Sequence, residues 1–202
     1  VQVENKAYPT TLCAGSLGSG YSWSGTAHAS TSSRTATEVN LDDHVGMISG
    51  NNTLSFRVVA QMPYDHDGGW ADNATNFLWA AYKNDASQSI HVYYHADDEY
   101  IGAYTATGTG SESLSSGTLT FDAGDWLDIV FTLDYSSDEY KLYIDGELVD
   151  SDVGPASAPT IEQWNIATRY DGTYQSNISV AEYAAFDKVL TAAEVAQLYN
   201  LQ

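Results

Sequence analysis

The chain has 202 residues, and seven basic against twenty-seven acidic side chains give it a formal charge of −20. That field repels phosphate backbones, anionic bilayers and acidic glycans, so nucleic acid is excluded as a partner class and cations become the natural counterparts, with solubility as the plainest role of the charge. A hydrophobic fraction of 43% can build a core, fifteen Tyr and five Trp favour β structure, and the lone Cys13 precludes an intrachain disulfide. No apolar run nears the roughly 18 residues of a membrane span. Val1 opens without a charged and then apolar leader, so no signal peptide is expected.

In chain order, residues 1–34 read as an arm rich in Gly, Ser and Thr, or as a first strand carrying Tyr21 and Trp23. A brief strand follows at 38–41, then turns at 42–44 and 50–52 that deliver the chain to a strand over 54–61. Residues 63–76, PYDHDGGWADNATN, are the longest polar insertion, and long loops on a rigid scaffold tend to carry function. Strands are predicted at 77–82, 90–95 and 100–107, with a Ser/Gly-rich loop at 108–116. In the second strand of this group Ile90, Val92 and Tyr94 oppose His91, Tyr93 and His95, because strand side chains alternate.

The stretch 125–150 is the most legible. Leu127, Ile129, Phe131 and Leu133 share one face of a strand. Tyr140, Leu142 and Ile144 repeat the pattern, and Asp145-Gly146 signals a type I′ hairpin into Leu148-Val149. Three antiparallel strands in succession leave a greasy face that needs a second sheet. Further strands are expected at 162–168 and 177–185. Thr191 with Glu194 forms a capping box, and Val195, Leu198 and Tyr199 form one face of a short helix.

These motifs carry a resemblance. The Trp126-led strand, the Lys-Leu-Tyr-Ile-Asp-Gly-Glu-Leu-Val hairpin at 141–149, the strand 177–183 and the Leu190-Thr191-Ala192-Ala193-Glu194-Val195 helix start resemble laminin-G-like, concanavalin A-like jelly rolls, as does 54–59 upstream. The similarity spans about 35–202, with 1–34 as an added arm or strand. It implies an all-β, antiparallel two-sheet sandwich with a short C-terminal helix. Function is implied far less sharply, because this fold carries lectins, adhesion modules, enzymes and virion proteins alike.

Catalytic members of the fold set two carboxyls on one strand as Glu-x-Asp-x-x-Glu, and this chain has no such run; Asp145/Glu147 and Asp150/Asp152 have the parity but flank a turn or follow it. No nucleophile elbow, His-Glu-x-x-His or phosphate loop is present. The cation candidates are Asp65, Asp67 and Asp72, whose oxygens beside Gly68-Gly69 suit calcium. The ligand-stacking candidates are Tyr64, Trp70, Tyr170 and Tyr174 in polar loops, with Tyr93 between His91 and His95 on a strand; the two histidines also share a face from which a transition metal could be held. Trp79, Trp126 and Trp164 are expected in the core. The reading is a non-catalytic recognition module for carbohydrate or a glycosylated surface, with calcium as the candidate cofactor, outside the cell or on a cell or virion surface. The alternatives are a structural, decoration or adhesion block that self-assembles, and a polysaccharide-active enzyme.

Overall fold

The computed structural model describes residues 21–23, 32–34, 39–66, 75–84, 87–154, 157–169, 176 and 178–201. The chain divides into two compact units, 1–37 and 38–202. In the first, β1 (Tyr21–Trp23) pairs antiparallel with β2 (Ser32–Arg34); Cys13 lies outside the described residues.

The second unit is a two-layer antiparallel sandwich. Its strands are β3 (Val39–Asn40), β4 (Thr53–Gln61), β5 (Thr75–Tyr82), β6 (Ser89–His95), β7 (Tyr100–Ala106), β8 (Ser111–Ser115), β9 (Trp126–Asp134), β10 (Glu139–Ile144), β11 (Glu147–Val153), β12 (Gln163–Ile166) and β13 (Ser179–Phe186). One sheet runs β11-β10-β9-β4-β13 and the other β3-β12-β5-β6-β7-β8. A single α-helix among the described residues, α1 (Ala192–Tyr199), follows, and a 3-10 turn of helix spans Asp42–Met47.

Alternation does the sorting. Leu54, Phe56, Val58 and Ala60 of β4 and Leu127, Ile129, Phe131 and Leu133 of β9 face inward, against Trp79, Ile90, Val92, Tyr94, Ile101 and Trp164 of the opposite sheet. The layers meet where the Phe56 ring lies 4.4 Å from that of Trp79 and 6.2 Å, edge-on, from that of Trp164. The 125–150 meander folds as expected. Asp145 and Gly146 take φ of 50° and 81°, and Ile144 pairs with Glu147 across the turn. Positive φ at both central residues is what a type I′ turn demands.

The middle of the outer face of the five-stranded sheet is covered by α1 and the residues leading into it. Val130 and Tyr143 pack beneath Leu190 and Val195, with Phe186 and Leu198 at the margin. The capping box forms: the Glu194 backbone N–H donates to Thr191 Oγ1 at 3.3 Å, and the Thr191 backbone N–H donates to Glu194 Oε2 at 2.8 Å. The exposed Glu194 carboxyl is held at a pKa of about 2, chiefly by Lys188.

Two expectations are corrected here. Trp126 is not core but 46% exposed. Leu127 points inward, so alternation turns its predecessor out, and Trp126 opens β9 opposite Gln61 at the end of the strand. The Ser/Gly-rich loop at 108–116 contains strand β8. Its composition argues for a loop, but pairing with β7 and the inward side chain of Leu114 override it. Trp79 and Trp164 are buried as expected, at 0% and 3% exposure.

Candidate functional site

The outer face of the six-stranded sheet is built differently. Residues of β5, β6 and β7 that point away from the core are aromatic at nearly every rung. Register sets Phe77 opposite Tyr93, Ala80 opposite His91 and Tyr82 opposite Ser89; on the next strand His91 faces Tyr104, Tyr93 faces Gly102 and His95 faces Tyr100. A β-bulge between Phe77 and Trp79 lets Phe77 face out while Trp79 faces in. Phe77 and Tyr82 are buried, whereas His91, Tyr93, His95, Tyr100 and Tyr104 are half-buried.

The rings take two attitudes. His91 stacks between Tyr82, at 5.7 Å and 23°, and Tyr104, at 4.8 Å and 26°. His95 stacks on Tyr100 at 5.0 Å and 7°. Partners on adjacent strands stand about 4.8 Å apart, so rings stacked face to face across that gap stand upright on the sheet. Tyr93 does not. A Cβ placed on Gly102 would fall 2.3 Å from Tyr93 Cζ and 2.6 Å from its hydroxyl oxygen, so this ring lies flat over the bare glycine backbone.

Electrostatics fit the packing. Burial, with a smaller contribution from the positive charge of Arg169, lowers the His91 pKa to about 3, so the imidazole is neutral. Burial also raises the Tyr100 hydroxyl, which sits 3.5 Å from that of Tyr93. Buried side-chain atoms without a hydrogen-bond partner gather here: Gln163 Oε1, Asn165 Oδ1, His91 Nδ1 and His95 Nδ1 all belong to outward-facing residues of this sheet. The last lies 3.2 Å from Asp98 Oδ2 without hydrogen-bond geometry.

The sequence matches a family model described as the concanavalin A-like lectin/glucanases superfamily over residues 33–196. The chain belongs to that superfamily. Its sandwich is similar to the CBM40 of a Ruminococcus gnavus IT-sialidase, with a TM-score of 0.66, 15% identity, and coverage of 81% of this chain and 92% of that one. The same module has been solved bound to alpha2,3 sialyllactose. A native heptameric SAP-like pentraxin from Limulus polyphemus matches at a TM-score of 0.57 and 10% identity, over 75% of this chain and 71% of that one. A leech intramolecular trans-sialidase matches at 0.66 and 11%, over 82% of this chain and 26% of the enzyme. No curated protein sequence matches the chain.

Within this superfamily framework the sequence-predicted residues separate. His91, Tyr93 and His95 share the outer face of β6, as alternation requires. Asp65 Oδ1 accepts from the Ala123 backbone N–H at 2.7 Å, which ties the start of the long insertion to the turn before β9. Tyr64 lies beside it, half-buried. Asp67, Trp70, Asp72, Tyr170 and Tyr174 lie outside the described residues. Among the described residues no group of three or more His, Cys, Asp or Glu side chains is placed to hold a metal ion. The Asp145 carboxyl accepts from the Asp128 backbone N–H at 3.0 Å, and burial raises its pKa.

Residue-by-residue reading of the sequence missed Phe77, Tyr82, Tyr100, Gly102 and Tyr104. The first two were read as strand residues with no face assigned, because the bulge at Phe77/Trp79 breaks the alternation that would have assigned it. The pairing of Tyr93 with Gly102 is a cross-strand fact with no local signature.

Proposed function

We propose that this protein is a recognition module for carbohydrate, on a free glycan or a glycosylated surface, and that it binds through the aromatic outer face of the six-stranded sheet. The observation that carries the reading is the row of outward rings on β6 and β7, in which Tyr93 turns a ring face outward between upright pairs. Sugar rings present apolar C–H faces that stack on aromatic rings, while hydroxyls need polar partners close by. The superfamily assignment and the likeness to a sialidase carbohydrate-binding module support the reading. Work of this kind belongs where glycans are displayed, at the outside of a cell or on a cell or virion surface.

The test is a glycan-array screen of the whole chain followed by calorimetry on the hits. Binding with Kd in the micromolar to millimolar range, lost on Tyr93→Ala with an unchanged melting curve, supports the reading. An empty array at high protein concentration, with and without calcium, removes it. Calcium is the proposed accessory ion, drawn to the acidic insertion that begins at Asp65. A calcium titration that releases no heat at millimolar concentration disposes of that part alone.

A further inference from the structure

The flat attitude of Tyr93 defines more than a sticky face. Along β6 the outward residues His91, Tyr93 and His95 occupy three successive rungs, so the outer two stand about 13 Å apart. At the first of them His91 and Tyr104 stand upright with their faces together, 4.8 Å apart, and at the third His95 and Tyr100 do the same at 5.0 Å. Each of these four rings has a face taken up by its stacking partner, and the pairs stand with ring edges toward the outside. Between them the Tyr93 ring lies over Gly102 with one face on the backbone and the other turned outward. Its hydroxyl is steadied by that of Tyr100 at 3.5 Å. The ring of Tyr100 meets it nearly at right angles, 68°, and that of His91 at 53°. The shape is a short slot with a ring for its floor and upright rings for its two walls.

We infer that this slot takes one pyranose unit, stacked by its C–H face on Tyr93 and confined by the His91/Tyr104 and His95/Tyr100 walls, and that Gly102 determines specificity because only a residue without a side chain lets the floor lie flat. The inference rests on the carbohydrate reading above and narrows it: a platform for a long glycan would need several outward faces in line, and this row turns only the Tyr93 face outward. A walled single floor selects an end or a lone branch residue, and contributes little for each further sugar.

The substitution Gly102→Ala tests the floor directly. The new methyl would overlap the Tyr93 ring at 2.3 Å and force it upright, while the backbone stays in a β conformation that alanine adopts freely. The probes are the methyl glycosides of galactose, glucose and N-acetylneuraminic acid, against lactose and 3′-sialyllactose, read by calorimetry and by saturation-transfer NMR. The expected result has three parts. At least one methyl glycoside binds within about fivefold of the oligosaccharide that contains it. Saturation transfers to the protons of one sugar face. Gly102→Ala weakens binding tenfold or more, whereas Tyr93→Phe, which keeps the ring, weakens it less than fivefold. A stability check keeps the comparison clean: Gly102→Ala made in a Tyr93→Ala background no longer meets the Tyr93 ring, and its melting temperature is expected to match that of Tyr93→Ala alone. Affinity that climbs tenfold with each added sugar, or Gly102→Ala binding as tightly as the parent, overturns the slot and leaves the carbohydrate reading standing. A parent protein that binds none of the probes and no glycan on the array overturns both.

Discussion

The two outer faces of the sandwich are finished in opposite ways. On the five-stranded sheet Arg57 lies buried and fully engaged. Its guanidinium makes a bidentate pair with Asp128, Nε to Oδ1 and Nη2 to Oδ2, both at 2.9 Å; Nη1 donates to Glu182 at 2.9 Å, and Nη2 also reaches the Leu198 carbonyl at 3.2 Å. These bonds, that to Asp128 foremost, raise the Arg57 pKa. Val195 of α1 and Leu190 just before the helix cover Val130 and Tyr143. On the six-stranded sheet many outward residues of β5, β6 and β7 are rings, and buried Gln163, Asn165 and His91 atoms go without partners. An unpartnered buried polar atom costs stability, and natural structures retain such atoms mostly where another role overrides packing. One face is finished by an ion-pair network and a helix, the other by rings and unpartnered polar atoms.

The contrast can be broken at its strongest point by Arg57→Met. With the Arg57 and Asp128 side chains only 4% and 2% exposed, removing the cation takes both bidentate bonds from a buried carboxylate, and a loss of about 3–5 kcal/mol is expected in urea unfolding. Glycan binding measured at low temperature on the folded fraction should be unchanged, since the affected face is the other one. A loss under 1 kcal/mol would mean that Asp128 is resolvated and that α1 does not seal the face.

Acid sharpens the contrast from the other side. The unfolded chain protonates His91 near its ordinary pKa of 6.5, while the folded chain holds it neutral down to about 3. Between those values the unfolded state binds the extra proton, so stability is complete above pH 6.5 and falls as pH drops towards 3, by at most about 1.4 kcal/mol per pH unit from this group. His91→Phe should remove that component, flatten the acid limb of the stability profile, and leave stability at pH 7 equal or higher, because an unpartnered nitrogen goes with it. An acid limb identical to that of the parent would refute the assignment.

A smaller effect is expected at the cap of the sealing helix. Thr191→Ala removes the acceptor for the Glu194 N–H and should cost about 1 kcal/mol in chemical denaturation. Smallest of all is Trp126→Ala. At 46% exposure and outside the core cluster, the indole should cost under about 1 kcal/mol to remove, against about 3–5 kcal/mol for the fully buried Trp79→Ala.

Much of this was readable along the chain. The alternation of Leu127, Ile129, Phe131 and Leu133, the Asp145-Gly146 turn and the Thr191/Glu194 cap are all local signals, and each formed as its chemistry dictates. The outward triplet His91, Tyr93 and His95 was local too, because its neighbours Ile90, Val92 and Tyr94 are unmistakably core. Trp126 misled because a large indole beside a greasy strand reads as core, when its position at the strand's first residue decides otherwise. Along the chain Arg57 is a lone cation within an apolar strand. Its partners come from β9, β13 and the end of α1, 71 to 141 residues away, and no local pattern could supply them.

By itself, then, the order of residues settles which side chains turn in and which turn out wherever alternation runs unbroken, since a period of two and a handful of turn and cap residues act over a few positions. Only the folded sheets decide what each outward residue meets. That Gly102 lies under Tyr93, that His91 stands between Tyr82 and Tyr104, and that Asp128 lies beside Arg57 are consequences of strand register, which pairs residues far apart in the chain and which no short stretch encodes.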